Sequence, residues 1–300
     1  MRLLIIGASG LVGSALSNEA SRRGHETLGT YFEHPQEGLK KLDYGDAGEV
    51  NKTLDSFLPD VILCPAGKTN VDWVEQNPKE AWKLNVSKLN VLFEVAFIRN
   101  IPLVFFSTDY IFDGKDGPYS EDDIPNPLNF YGQHKLVSEI MLKTYLPEQH
   151  LIVRVTWVFG QEKQGKNFVY SVIKNLSSGK EMKVPQDISA TPVYVKDVAR
   201  YTLDLVEKKY RGVYNISTGD CISKLEFAKS IAGVFGLDSS LIKVVKYNTM
   251  NLPTKRPLKA GFKNNKIDQL ITPQWTPLMA ALNETKLEME RVGQRIYELK

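Results

Sequence analysis

Cysteine is nearly absent: Cys64 and Cys221 are the only two in 300 residues. Two thiols make neither a disulfide framework nor a metal quartet. Cys64, set in an apolar run, reads as a buried thiol. A dominant sign of charge is also lacking. The excess is only +3, too small to imply a nucleic-acid partner. No apolar run approaches the ~18 residues of a membrane span. Met1 to Gly7 begins like a signal peptide, but its apolar part is short and the glycines from Gly7 to Gly13 interrupt it. No repeat or low-complexity stretch is present. The expectation is a soluble, reducing, cytoplasmic protein that partners neither nucleic acid nor membrane. What is present is the composition of an ordinary globular chain, 42% hydrophobic and 24% charged. Its length suits one large domain or two tightly joined ones.

Leu3 to Ile6 is a continuous apolar run, as in a strand buried on both faces. Gly7-Ala8-Ser9-Gly10-Leu11-Val12-Gly13 follows, and a helix is expected to open near Gly10. Free N–H groups and the macrodipole at such a helix start favour an anion. Three glycines after a strand can also be a bare turn. Their place between a strand and an amphipathic helix favours a dinucleotide, with Gly7, Ser9, Gly10, Leu11, Val12 and Gly13 as candidate contacts.

A second strand is expected over Glu26 to Phe32. A carboxylate at such a strand end holds the ribose 2′-hydroxyl of NAD. Here the end reads Gly29-Thr30-Tyr31, with no acid before Glu33, which leans the choice to NADPH and leaves NADH possible. Thr30 is a candidate contact. Asp43 and Tyr44 are open between adenine contact and a helix cap or turn. A third strand, Asp60 to Leu63, leads into Cys64-Pro65-Ala66-Gly67, whose small residues let a cofactor pass close. Asn77-Pro78 predicts a helix start with Asn as cap, running to about Ile98 and packing through Trp82, Leu84, Leu89, Leu92 and Phe93. Asn85 lies mid-helix, able to bond a neighbour or face solvent.

The apolar run Ile101 to Phe106 ends in Ser107-Thr108-Asp109. Tyr131 and Lys135, four apart, share one helix face. A hydroxyl at a strand end with a tyrosine and a lysine on one face can pass a proton to or from a carbonyl or alcohol. Strand–helix alternation to about residue 156 argues for a doubly wound parallel sheet, whose ligands sit at the carboxyl ends of its strands. Gly7, Cys64-Pro65-Ala66 and Ser107-Thr108-Asp109 should therefore meet in one crevice. Asp113 to Asn129 reads as a long loop, plausibly a flap. Further on, Asn167 precedes a helix, Val193 to Val206 is another, Val213 to Ile216 a strand and Ser223 to Phe235 a helix. Lys255, Arg256, Lys259, Lys263 and Lys266 read either as a solvated basic face or as a phosphate clamp.

Together, Gly7-x-x-Gly10-x-x-Gly13, Ser107-Thr108-Asp109-Tyr110-x-Phe112-x-Gly114, Tyr131-Gly132-x-x-Lys135 and Arg154-x-x-Trp157-Val158-Phe159-Gly160 resemble the extended short-chain dehydrogenase/reductases. Within these the chain looks most like the dTDP-4-dehydrorhamnose reductase family. The resemblance implies a Rossmann-type doubly wound parallel sheet with a smaller α/β C-terminal substrate-binding region. Residues 1–160, completed by 193–218, would bind the cofactor; 161–192 and 219–300 would hold the substrate. It implies NADPH-dependent reduction of a nucleotide-linked 4-keto-6-deoxy sugar, most simply dTDP-4-dehydrorhamnose to dTDP-rhamnose, by a monomer or homodimer. Tyr131 would donate the proton, Thr108 would hydrogen-bond the carbonyl oxygen, and Lys135 would ease loss of the phenol proton and hold the nicotinamide ribose. Asp109, Trp157, Asn167, Asp187 and Arg256 would meet the substrate. The glycine-loop helix lacks the family's occasional metal-binding glutamate, so no metal is expected. Asp187-Ile188-Ser189-Ala190-Thr191-Pro192 departs from the family's usual Asp-Gln-x-Gly-x-Pro-Thr. Cys64-Pro65-Ala66-Gly67 stands where Asn-Ala-Ala-Ala is more usual. The regulatory β subunit of methionine adenosyltransferase, and the sugar-nucleotide epimerases and dehydratases, share much of this pattern and stand as alternatives.

Overall fold

In the computed structural model residues 1–293 are described; residues 294–300, the end of the expected substrate-binding segment, lie outside the described residues. Seven parallel strands form the central sheet, in the order β11-β6-β5-β4-β1-β2-β3. They are β1 Arg2–Ile6, β2 Glu26–Tyr31, β3 Lys40–Lys41, β4 Val61–Cys64, β5 Leu103–Thr108, β6 His150–Val155 and β11 Gly212–Ile216. Every residue of β4 and β5 is buried, which explains why these strands read as unbroken apolar runs rather than alternating ones. The sheet is Rossmann-like, as expected. The order in which its strands are added reverses between β1 and β4, so the crevice at the strand ends opens there.

Helices cover both faces. On one lie α1 (Leu11–Arg22) and α8 (Val195–Glu207), packed with Leu3, Ile5, Val104 and Val153. On the other lie α2 (Ala47–Phe57), α5 (Lys88–Ile98) and α6 (Phe130–Tyr145), packed with Leu4, Ile62, Phe105 and Ile152. The alternation of Leu3 and Ile5 to one core and Leu4 and Ile6 to the other is the two-residue period of a strand.

The helix expected from Pro78 to about Ile98 is three pieces. After the short α3 (Val71–Gln76), α4 (Pro78–Trp82) passes into a wide π turn, Lys83–Ser87, and then α5. Pro78 holds the first helical position, but the Asn77 side chain does not cap; its Nδ2 donates back to the Trp73 carbonyl at 2.9 Å. Trp82, expected in the core, is 44% exposed, with its ring edge-on to His134. Nor is Asp113 to Asn129 a free flap. Tyr119 stacks on Phe112 at 4.2 Å, its N–H bonds the Gly261 carbonyl, and Glu121 Oε1 accepts from the Asn215 N–H at 2.9 Å.

Apart from α10 (Asn265–Ile271), which packs through Ile267 on the same core as α1 and α8, the remaining elements build a smaller layer beyond the sheet: β7 Val158–Phe159, α7 Phe168–Ser177, β8 Met182–Pro185, β9 Ser189–Ala190, β10 Val193–Tyr194, β12 Ile222–Ser223, α9 Lys224–Phe235, β13 Ile242–Val245 and α11 Leu278–Arg291. Its strands pair two by two, and α7, α9 and α11 close a third core around Phe159, Phe227 and Met289. The helix read over Val193 to Val206 starts two residues later, because Val193–Tyr194 pair with β7 first. Among the described residues no helix is long and apolar enough to cross a membrane. Among them, too, no group of three or more His, Cys, Asp and Glu side chains could hold a metal ion.

Candidate active site

The glycine loop leaves β1 through Gly7, at φ +92°, a conformation that side chains oppose. A Cβ on Gly13 would lie 2.2 Å from the Gly7 carbonyl, so only glycine lets α1 fold back onto the loop. Gly10 differs: a Cβ there would meet only that carbonyl, at 3.5 Å. Its outer side is an open cradle. Gly10 is the N-cap of α1, with no side-chain cap and no acid in the first turn. The first N–H groups of the helix are thus left for an anion, which fits the diphosphate of a dinucleotide. The turn after β4 touches this loop, since Ala66 lies 3.0 Å from where a Gly7 Cβ would stand. Pro65, Ala66 and Gly67 therefore border the cradle. Ser9 gives its carbonyl to Gln164 Nε2 at 3.1 Å. Leu11 and Val12 pack backward onto the third core.

The other cofactor candidates are held tightly. Thr30 turns its hydroxyl into the sheet, towards the Ile5 carbonyl at 3.4 Å. Both Asp43 oxygens accept from Lys88 Nζ, at 2.7 and 2.8 Å. Burial would raise this carboxyl, but the Lys88 bond and the Gly45 N–H outweigh it, and its pKa is lowered. Asp43 is therefore an ion-pair partner rather than a helix cap. Tyr44 is buried, and its hydroxyl donates to the Leu84 carbonyl at 3.0 Å.

Thr108 is the last residue of β5, and Tyr131 and Lys135 face it from the first turns of α6. All three are buried. Asn129 caps α6 through the Gly132 N–H at 2.9 Å, and Glu75 accepts from the Phe130 N–H at 3.1 Å. Burial holds the Tyr131 phenol above its ordinary pKa, and a side-chain hydrogen bond with Thr108 opposes that only in part. Lys135 Nζ donates to the Phe106 carbonyl at 2.8 Å, lies over the Phe105 ring and faces Gly67. Its own pKa falls to about 8, chiefly through desolvation.

Asp109 is buried beside this group. It accepts from Thr156 Oγ1 at 2.6 Å and from Thr108 Oγ1 at 3.1 Å. Burial pushes its pKa up to about 6 against these hydrogen bonds. Trp157, in a left-handed backbone conformation at φ +38°, stacks parallel to Phe227 at 6.1 Å. Arg256 pairs with Asp72 at 2.6 Å. The remaining two substrate candidates are engaged in loops. Asn167 caps α7 and donates to the Gly160 carbonyl. Asp187 is exposed and accepts from the Tyr247 N–H. The basic run does not act as one clamp: Lys266 donates to the Val213 carbonyl and lies over Tyr214, while Lys259 and Lys263 are exposed.

Two residues that support the site were missed in the sequence. Lys224, on α9, sits over Trp157 at 3.9 Å and Phe168 at 3.6 Å. Glu139, on the far side of α6, makes a two-fold bond with Arg154 of β6, at 2.9 and 2.7 Å. An arginine inside an otherwise apolar strand was the available signal that a buried acid must face it. Glu75, part of the Val71-Asp72-x-x-Glu75 pattern that also resembles the family, meets the start of α6.

The sequence family described as the RmlD substrate binding domain matches residues 1–289. A probable low-salt glycan biosynthesis reductase, Agl14, of Haloferax volcanii is 30% identical, covering 87% of this chain and 89% of its own. Methionine adenosyltransferase 2 subunit beta of Xenopus laevis is 32% identical, over 95% and 86%. The structure of dTDP-4-dehydrorhamnose reductase from Bacillus anthracis in complex with NADP superposes with a TM-score of 0.86 at 26% identity, covering 96% of this chain and 99% of that one.

Proposed function

The chain belongs to the RmlD substrate binding domain family, and from that premise we propose that it is an NAD(P)H-dependent oxidoreductase that reduces a nucleotide-linked 4-keto sugar. The finer reading is dTDP-4-dehydrorhamnose to dTDP-rhamnose, with NADPH preferred and NADH accepted. One observation carries it: Thr108, Tyr131 and Lys135, separate in sequence, meet at the strand ends beside an open glycine cradle. We also place the cofactor on residues 1–160 and 193–218, and the substrate against 161–192 and the segment from 219 onward.

In this reading Gly7, Gly10 and Gly13 hold the diphosphate of the dinucleotide, with Ser9, Ala66 and Gly67 beside it. When bound, the nicotinamide supplies the hydride. The chain's own groups manage the proton and the oxygen. Tyr131 carries its proton at neutral pH because burial raises the phenol, so it stands ready as the acid. Thr108 holds the carbonyl oxygen when its proton is not given to the Asp109 carboxylate. Lys135 is cationic at neutral pH and favours negative charge developing on the Tyr131 oxygen once that proton leaves.

Tyr131→Phe should abolish NADPH oxidation with dTDP-4-dehydrorhamnose while NADPH binding, followed by fluorescence, stays within about twofold. Undiminished turnover would overturn the assignment. A second reading follows from the methionine adenosyltransferase relatives, which match 95% of the chain: a cofactor-binding subunit of another enzyme. Pure protein that binds NADPH yet oxidises none of it with a panel of 4-keto sugar nucleotides would decide for that reading.

A further inference from the structure

Lys224 is a cation in a place that repels cations. It is the first residue of α9, where the macrodipole is positive. Its side chain is half-buried. Its ammonium lies between the Trp157 ring at 3.9 Å and the Phe168 ring at 3.6 Å, with Phe227 at 5.8 Å closing the third side. Among the described residues no carboxylate comes within ion-pair distance of it. Desolvation brings its pKa down to about 7; Arg256 adds to that, and Asp109 acts weakly the other way. A lysine left free would swing its flexible stem into water. This one is held by aromatic faces at the side of the crevice marked by Asp109 and Trp157. Ring quadrupoles partly replace its lost hydration, but they give no hydrogen-bond acceptor for three N–H donors.

We propose that Lys224 is a specificity-determining residue that receives an oxyanion of the substrate, held in place by the Trp157–Phe168–Phe227 cage. The inference rests on the reductase reading for the identity of the substrate, and on the cage alone for the site. Two parts of a sugar nucleotide offer that chemistry, a phosphoryl oxygen of the diphosphate or a carboxylate on the sugar. The Arg256 charge acts on Lys224 in the same direction as desolvation, so this side of the crevice is electropositive. Arg256 is paired with Asp72 through a terminal nitrogen, whereas the Lys224 ammonium has no carboxylate partner among the described residues.

The test is calorimetric binding to the NADPH-loaded full chain, comparing the wild type with Lys224→Met and Lys224→Arg. The ligands are dTDP, thymidine, UDP-glucose and UDP-glucuronate. Methionine keeps the stem in the cage without charge; arginine keeps the charge. If the diphosphate is the partner, Lys224→Met weakens dTDP and both UDP-sugars by about tenfold or more, the scale of a charge-assisted hydrogen bond. Thymidine is then unchanged and Lys224→Arg largely restores binding. If the sugar carboxylate is the partner, the loss is confined to UDP-glucuronate. Equal losses for all four ligands, or none, overturn the proposal. Unaltered NADPH affinity in each variant reports an intact fold. Should the wild type reduce no 4-keto sugar while anion binding still depends on Lys224, the reaction assignment fails and the oxyanion site stands.

Discussion

Thr108 has a single proton to give, and with Asp109 ionised it gives it to that carboxylate. A hydroxyl so engaged cannot donate to a carbonyl oxygen of the substrate. Protonation of Asp109 reverses the bond: the acid donates to Thr108 Oγ1 and the Thr108 proton turns outward. With the Asp109 pKa near 6, the turned form dominates below that pH and is lost above it. Lys224 is a charged group that interacts with this carboxylate. The pH profile of kcat should therefore show a limb near 6, activity falling as pH rises through it, and Asp109→Asn should remove that limb. A limb unmoved in the variant would exclude Asp109. Stability has the same sign. The folded chain holds this proton more tightly than the unfolded one, whose Asp titrates at about 3.9, so the gain is full below that value and vanishes as pH rises past 6. Tyr131 and Lys135 were readable as a pair because their spacing and residue types are chemical statements, whereas the choice of Thr108 over Ser107 came from the family resemblance. Lys224 was not readable, because a lysine at a helix start looks solvated until the fold brings Trp157 and Phe168 to it.

At the level of elements, α6 carries two of the three side chains proposed to act on the substrate, and its seat is the Glu139–Arg154 pair. Both groups are about 97% or more buried, and Arg154 also donates to the Glu121 carbonyl, so α6, β6 and the loop after β5 share one arginine. Glu139→Ala leaves a buried, uncompensated guanidinium and should cost about 3–5 kcal/mol in urea denaturation. The double variant Glu139→Leu/Arg154→Met should recover much of that loss; an equally unstable double variant would show that packing, not charge, was lost. Strands were read well, since burial on both faces writes itself as continuous apolar sequence. The π turn at Lys83–Ser87 was not, because its cause is tertiary. Asn85 points inward there and clasps Lys68, accepting from its N–H at 2.7 Å and donating to its carbonyl at 2.9 Å. A widened turn at a functional loop is a familiar use of this geometry.

Across the whole molecule, the central sheet was legible and the outer layer much less so. Two-residue strands such as β7, β9 and β12 have too few residues to show a period, and they form only because larger elements hold them together. Ion pairs far apart in sequence tie the parts: Arg23 joins Asp204 and Glu207 across α1 and α8, and Arg256 joins Asp72. Cofactor binding should stabilise this whole assembly. NADPH at a hundredfold excess over its Kd adds about 2.7 kcal/mol, a rise of several degrees in Tm. The same concentration of NADH should give a smaller rise, since the end of β2 offers Thr30 and Tyr31 where a ribose-binding carboxylate would stand. A larger rise with NADH would reverse the cofactor preference.

The sheet order also sets a timetable. β11 pairs along all five of its residues with β6, yet Gly212 follows Val155 by more than fifty positions. While the chain is being made, β6 waits with one row of backbone donors and acceptors uncovered, next to the freshly formed cofactor half. Such a row is an invitation to any passing strand. The intervening helices α7 and α8 are thus the interval during which a nascent chain of this kind most needs shelter, and a ribosome stalled between them would leave a half-built enzyme with an adhesive edge.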